Sequence, residues 1–147
     1  MNAAGNNKAN PEPPVNAMGR AYDPDATSDE RTYAMFIHLS LLGHIVLTVI
    51  AIAIPIIMWA VKKSESPFLD DHGREAINFQ ISLLIWSLVL PVIAAIVGFL
   101  TCGVGFVLLV PAALLPYILG LVGMIQASIA ANRGEFYRYP MTMRFLH

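Results

Sequence analysis

Residues 76–132 read AINFQISLLIWSLVLPVIAAIVGFLTCGVGFVLLVPAALLPYILGLVGMIQASIAAN, with no Asp, Glu, Lys or Arg in 57 positions. The stretch divides into apolar segments 76–100 and 106–131 around Thr101-Cys102-Gly103-Val104-Gly105. Each segment is long enough to span a bilayer. A helix rises 1.5 Å per residue, and the hydrocarbon core is about 30 Å thick. Two glycines in five residues suit a tight connection, so the segments read as an antiparallel helical hairpin. Small residues share a face in each: Ser87, Pro91, Ala94 and Gly98 in the first, Ala112, Pro116, Gly120, Gly123 and Ala127 in the second. Helices associate in lipid through such faces, which places them at the hairpin interface. Proline recurs in every apolar run, as Pro55, Pro91, Pro111 and Pro116. Membrane helices tolerate it, and kinked helices that shape a cavity are the alternative reading.

Working outward, a third uncharged run covers 32–61. As one helix it would be about 45 Å long, more than the hydrocarbon core needs. His44 to Val61 is enough to span, so Tyr33 to Gly43 reads as an interfacial or re-entrant arm that breaks at Gly43. Trp59, Lys62 and Lys63 mark an interface in the usual aromatic-then-cation order. The expected fold is therefore an all-α integral membrane protein with three transmembrane helices. The first is long and either broken or re-entrant; the last two are the hairpin. Residues 1–26 hold four of the ten prolines and read as a disordered tail, too poor in apolar surface to offset ordering entropy. Thr27 and Glu30 form a capping-box pattern that opens the ordered part. The membrane domain is thus 27–140, followed by a short tail, 141–147.

Composition agrees. Of 147 residues, 56% are hydrophobic and 13% charged, against about 25% charged in an average soluble domain. Nine basic residues against ten acidic give −1, which excludes a broad basic surface and so nucleic acid as a partner. Six of the nine lie in loop 62–75 (Lys62, Lys63, Arg74) and in 132–147 (Arg133, Arg138, Arg144). The positive-inside bias puts both in the cytoplasm, with the chain in a plasma or inner membrane. Three spans then place the N-terminus outside; a re-entrant first run returns it inside.

Residues 62–80, KKSESPFLDDHGREAINFQ, are the most distinctive stretch. Ser66-Pro67 fits a helix start, with Asp70 or Asp71 as later caps. From any of these, Asp71, Glu75 and Asn78 share a helical face. With His72, Arg74, Phe79 and Gln80 they are the interaction candidates. Asp70, Asp71, His72 and Glu75 carry metal-ligating atoms, but their spacing fits neither a zinc helix nor a calcium loop. A solvated cap, ion-paired to Lys62, Lys63 and Arg74, fits better; no metal and no cofactor are expected. There is no Gly-x-Ser-x-Gly elbow and no phosphate loop, and Cys102 stands alone. No residue is nominated as catalytic, and the chain is not read as an enzyme.

Asn78 and Gln80 enter the membrane about 200° apart around the helix, so they cannot share a partner. One is expected to face the helix end near Trp59 and the other the end near Ala130, as a clamp; a recognition surface for a partner protein is the rival reading. His38, His44 and Gln126 are the intramembrane polar candidates. Interhelical hydrogen bonding accounts for them, with a proton relay as the alternative for the histidines. Phe136, Tyr137 and Tyr139, with Arg133 and Arg138, read as an interfacial belt, and residues 141–147 as dispensable.

His38-Leu39-Ser40, Pro55, Trp59, Lys62-Lys63, Ser66-Pro67-Phe68, Asp71 to Ala76, Asn78-Phe79-Gln80, Gly134-Glu135 and Tyr139-Pro140 together resemble the bacterial domain-of-unknown-function 4870 family. That family is similar, across its membrane domain, to an import-translocon subunit of the chloroplast inner envelope. The resemblance spans residues 30–140. It implies a small bacterial inner-membrane protein with no established activity and no catalytic residues to carry over. The family often breaks its first apolar run with Pro or Gly, and residues 45–54 here have neither. The resulting functional reading is a non-catalytic module in the lipid bilayer that binds a membrane-protein partner or a second copy. An oligomeric channel or translocation component is the first alternative, and a membrane enzyme using the 70–75 cluster the second.

Overall fold

A computed structural model describes residues 12–43 and 50–147; His44, one of the polar candidates, lies outside them. Helix α1 is Ser28–Ser40, followed by a 3-10 turn at Leu41–Gly43. Helix α2 is Ile50–Lys62, α3 is Pro67–Leu100 and α4 is Val104–Asn132. Among the described residues there is no strand, only isolated antiparallel bridges joining Val15 to Ala21 and Tyr22 to Glu135.

Helices α3 and α4 are long and apolar enough to cross a membrane. At helical rise they measure about 51 and 44 Å, so α3 overreaches a 30 Å core by several turns. Leu88, Val92, Ile96 and Phe99 of α3 are exposed, as are Val107, Val110, Leu114 and Ile118 of α4. Such faces suit lipid rather than water. The connecting turn reverses through Cys102 at φ +50° and Gly103 at φ +95°. Glycine adopts that left-handed conformation without strain. Part of the small-residue face packs as expected. A Cβ added at Gly98 would fall inside the Phe106 ring, one at Gly120 would lie 3.0 Å from Phe79, and Ala127 is fully buried. Gly123 instead meets Tyr139, from the segment that follows α4.

The expectation of three spans is not met by the described helices. The 32–61 run is not one helix: α1 stops at Ser40, and the turn ends at Gly43. Helix α2 has 13 residues, about 20 Å, short of a span. Thr27 caps α1 with both bonds of a capping box: Glu30 N donates to Thr27 Oγ1 at 3.2 Å, and Thr27 N donates to Glu30 Oε2 at 2.7 Å. That amide holds the Glu30 carboxyl below its ordinary pKa. Ala34, Ile37 and His38 form the buried face of α1. Ile37 and Leu41 pack with Ala76, Phe79 and Leu83 of α3, Met124 and Ala127 of α4, and Tyr139.

Residues 12–26 are not an open tail. Asn16 Oδ1 accepts from Met18 N at 2.9 Å and Arg20 N at 3.0 Å, folding the chain back at Gly19. Asp23 N donates to the Gly134 carbonyl and Phe136 N to the Ala21 carbonyl, each at 2.9 Å. The Pro, Asn and Gly content that suggested disorder is turn chemistry here, anchored by a distant segment.

Helices α2 and α3 meet at Gly73. The Trp59 ring lies where a Cβ would stand, and Trp59 Nε1 donates to Asp70 Oδ1 at 2.8 Å. Gly73→Ala must displace the ring, at an overpacking cost of about 1–3 kcal/mol. Thermal unfolding in detergent should show a lower midpoint; an unchanged midpoint would contradict this packing.

Candidate functional site

The site is the polar cap built on the first half of α3. Ser66 Oγ accepts from Phe68 N at 3.2 Å and Leu69 N at 3.4 Å, and Pro67 takes the first helical position. Starting the helix there turns Asp71, Glu75 and Asn78 to one side, as their spacing predicts. What they meet is the segment after α4, which Gly134 at φ +75° sends back toward α3.

Arg138 grips Asp71 with both terminal nitrogens, each at 2.6 Å. Glu75 is 3% exposed; its Oε1 accepts from Tyr139 N at 2.8 Å, and Arg144 Nε stands 3.9 Å from Oε2. Arg74 pairs with Asp70 one turn back, at 2.5 Å, and donates to the His147 carbonyl. Asn78 Oδ1 accepts from Phe145 N and Leu146 N at 3.0 and 2.9 Å, while its Nδ2 donates to the Leu146 carbonyl at 2.9 Å. Asn78 therefore clamps the 141–147 segment, and not the helix ends near Trp59 or Ala130. Residues 141–147 are a bonded part of the cap rather than a dispensable tail. Gln80 is buried, and neither of its amide atoms has a partner among the described residues.

His38 and His72 converge. His38 Nε2 lies 2.8 Å from His72 Nδ1, and His38 Nδ1 lies 3.0 Å from the Tyr139 hydroxyl. This buried hydrogen-bond chain ties α1, α3 and the returning segment together. Burial, reinforced by His72, holds His38 well below the ordinary imidazole pKa. Either direction of proton donation along the chain leaves both rings neutral. Phe68 and Phe136 flank the far side of His72, with ring centroids 4.4 and 6.0 Å from it. Tyr139 is 3% exposed and stacks on Phe79 at 4.1 Å between centroids, so it is core and not interfacial belt. Gln126 is exposed; instead of bonding across the bundle, it accepts from Tyr137 at 3.2 Å.

Sequence reasoning named His38 and His72 separately and missed their pairing. It also missed Tyr139, Glu135 and Ser82 as members of the cap. Ser82 carries a visible signal: it stands four residues after Asn78 and eight after Arg74. Glu135 accepts from Asn16 Nδ2 at 2.9 Å and from Arg20 at 3.0 Å, which fixes the 12–26 segment. Among the described residues, no group of three or more His, Cys, Asp or Glu could hold a metal ion. Asp70, Asp71 and Glu75 are each engaged by an arginine or a backbone amide within the chain.

A family model described as MamF/MmsF, the magnetosome magnetite crystal formation protein family, matches residues 29–146. No curated protein and no solved structure matches. The family match overturns the resemblance to the domain-of-unknown-function 4870 family and to the import-translocon subunit. Many of the residues behind that resemblance, among them His38, Asp71, His72, Glu75, Asn78 and Tyr139, are bonded to one another or to the returning segment.

Substitutions at two positions test this cap. Asn78→Leu strands two amides and a carbonyl in a half-buried groove, and each buried unpaired group costs about 1–3 kcal/mol. Asn78→Asp keeps the acceptor for both amides but recovers a donor to the Leu146 carbonyl only when its carboxyl is protonated, so its melting temperature in detergent should approach the parent's as the pH falls. Tyr139→Phe keeps the stack on Phe79 and removes one hydrogen bond, worth about 1 kcal/mol. A melting temperature equal to the parent's would show that the His38 bond adds nothing.

Proposed function

The chain belongs to the magnetosome magnetite crystal formation protein family, and from that premise we propose that it acts in magnetite crystal formation as a non-catalytic protein of the magnetosome membrane, holding a membrane-protein partner or a second copy. The family match over most of the chain supports the setting. The engagement of Asp70, Asp71 and Glu75 by groups of the same chain supports the non-catalytic role, since no carboxylate of the cluster is left to act on a substrate. Helices α3 and α4 anchor the protein, and the cap faces the cytoplasm. The six basic residues in 62–75 and 132–147 favour that orientation.

In a magnetite-forming cell lacking its own copy, the restored chain should fractionate with magnetosome membranes and restore crystal size. Crystals indifferent to its presence, or a protein confined to another membrane, would overturn the proposal. Orientation is read on sealed, purified vesicles. Ser64 is exposed beside the cap, and Cys102 is exposed in the hairpin turn at the other end. An impermeant maleimide should modify Ser64→Cys, in a Cys102→Ala background, from outside. The native Cys102 should react only after lysis. The reverse pattern would place the cap in the lumen.

A further inference from the structure

Arg74, Asn78 and Ser82 stand four residues apart on one face of α3, about 6 Å per step along the axis. The segment 143–147 lies along this face, and all its bonds to the row use its main chain. Ser82 Oγ accepts from Met143 N at 2.8 Å and also lies 3.4 Å from the Met143 carbonyl. Asn78 takes the amides of Phe145 and Leu146 and the carbonyl of Leu146, and Arg74 takes the carbonyl of His147. An extended chain advances about 6.6 Å per two residues, so its step nearly matches the helix step. The row reads a peptide backbone, not a set of side chains.

We propose that Arg74, Asn78 and Ser82 form a binding site for an extended peptide, and that the 143–147 segment of a second copy enters it in trans. The segment already fits the site through groups that any copy presents. Its tether is strained, because Met141 is held at φ +62°, a left-handed conformation that side chains other than glycine adopt at a cost. Little apolar burial retains it: Met141 is 61% exposed and Phe145 51%. A row vacated by its own segment leaves Asn78 and Ser82, both buried, in need of main-chain donors and acceptors that a second copy's segment supplies. The inference rests on geometry alone and is independent of the magnetite reading.

The test uses the full chain in detergent. Met143→Pro with Phe145→Pro removes two amides that the row reads and leaves the row intact. A fluorescent peptide of residues 139–147, and a shuffled peptide of the same residues, should both bind this variant saturably. Binding should be at least tenfold tighter than to the parent chain, whose site is filled. Adding Asn78→Leu should abolish it. Absence of saturable binding, binding that survives Asn78→Leu, or binding of the native peptide alone would overturn the backbone-reading site. A second measurement needs no proline. Ser64 and His147 line one surface pocket. Ser64→Cys and His147→Cys chains, each with Cys102→Ala, are mixed in liposomes and mildly oxidised with copper-phenanthroline. A mixed disulfide that disappears when the Ser64→Cys chain also carries Asn78→Leu supports exchange. No mixed disulfide, or one indifferent to Asn78→Leu, overturns the second copy as occupant.

Discussion

A polar group carried into lipid must find its partner within the protein, and the structure around α3 follows from that constraint. This helix begins among charged residues at Asp70 and continues without interruption into exposed apolar surface. Between those regimes it carries Glu75, Asn78 and Ser82, which bond to the segment returning from α4. The return is possible because Gly134 reverses the chain after α4. The hairpin supplies two helices long and apolar enough to cross a membrane, while the returning segment bonds the polar side chains at its end.

Residues 135–139 are where the elements meet. Glu135 holds the 12–26 segment through Asn16 and Arg20. Arg138 holds the start of α3 through Asp71. Tyr139 reaches both ways, its amide to Glu75 and its hydroxyl to His38. A short irregular stretch thereby joins α1, α3 and α4, and the 70–75 carboxylates that resemble a ligand set in the sequence become anchoring points for it.

What the sequence disclosed was local. The hairpin could be read from uncharged length and the glycines at 103 and 105; the Thr27 capping box and the Ser66-Pro67 start could be read from spacing. The divergence of Asn78 and Gln80 around the helix was also correct. Their partners were not legible. Asn78 bonds to main-chain atoms 67 and 68 residues away, and main-chain atoms leave no trace in the sequence. For the same reason the 12–26 and 141–147 segments looked unstructured: each is held by a surface that exists only after the helices pack. His38 and His72 could be flagged as costly to bury alone, but nothing in their spacing showed that each solves the other's problem.

The cap joins the two ends of the chain. Asn16 and Glu135 are 119 residues apart in sequence, and His38 and Tyr139 are 101 apart, whereas the α3–α4 turn is only a few residues long. During synthesis the hairpin can form as soon as its second helix emerges, but the cap must wait for residues 135–147. Until then Glu75 and Asn78 lack the partners they have in the folded chain, whereas His38 and His72 can already pair with each other. The hairpin is therefore settled before the polar end of α3, and closure of the cap is the late step of folding.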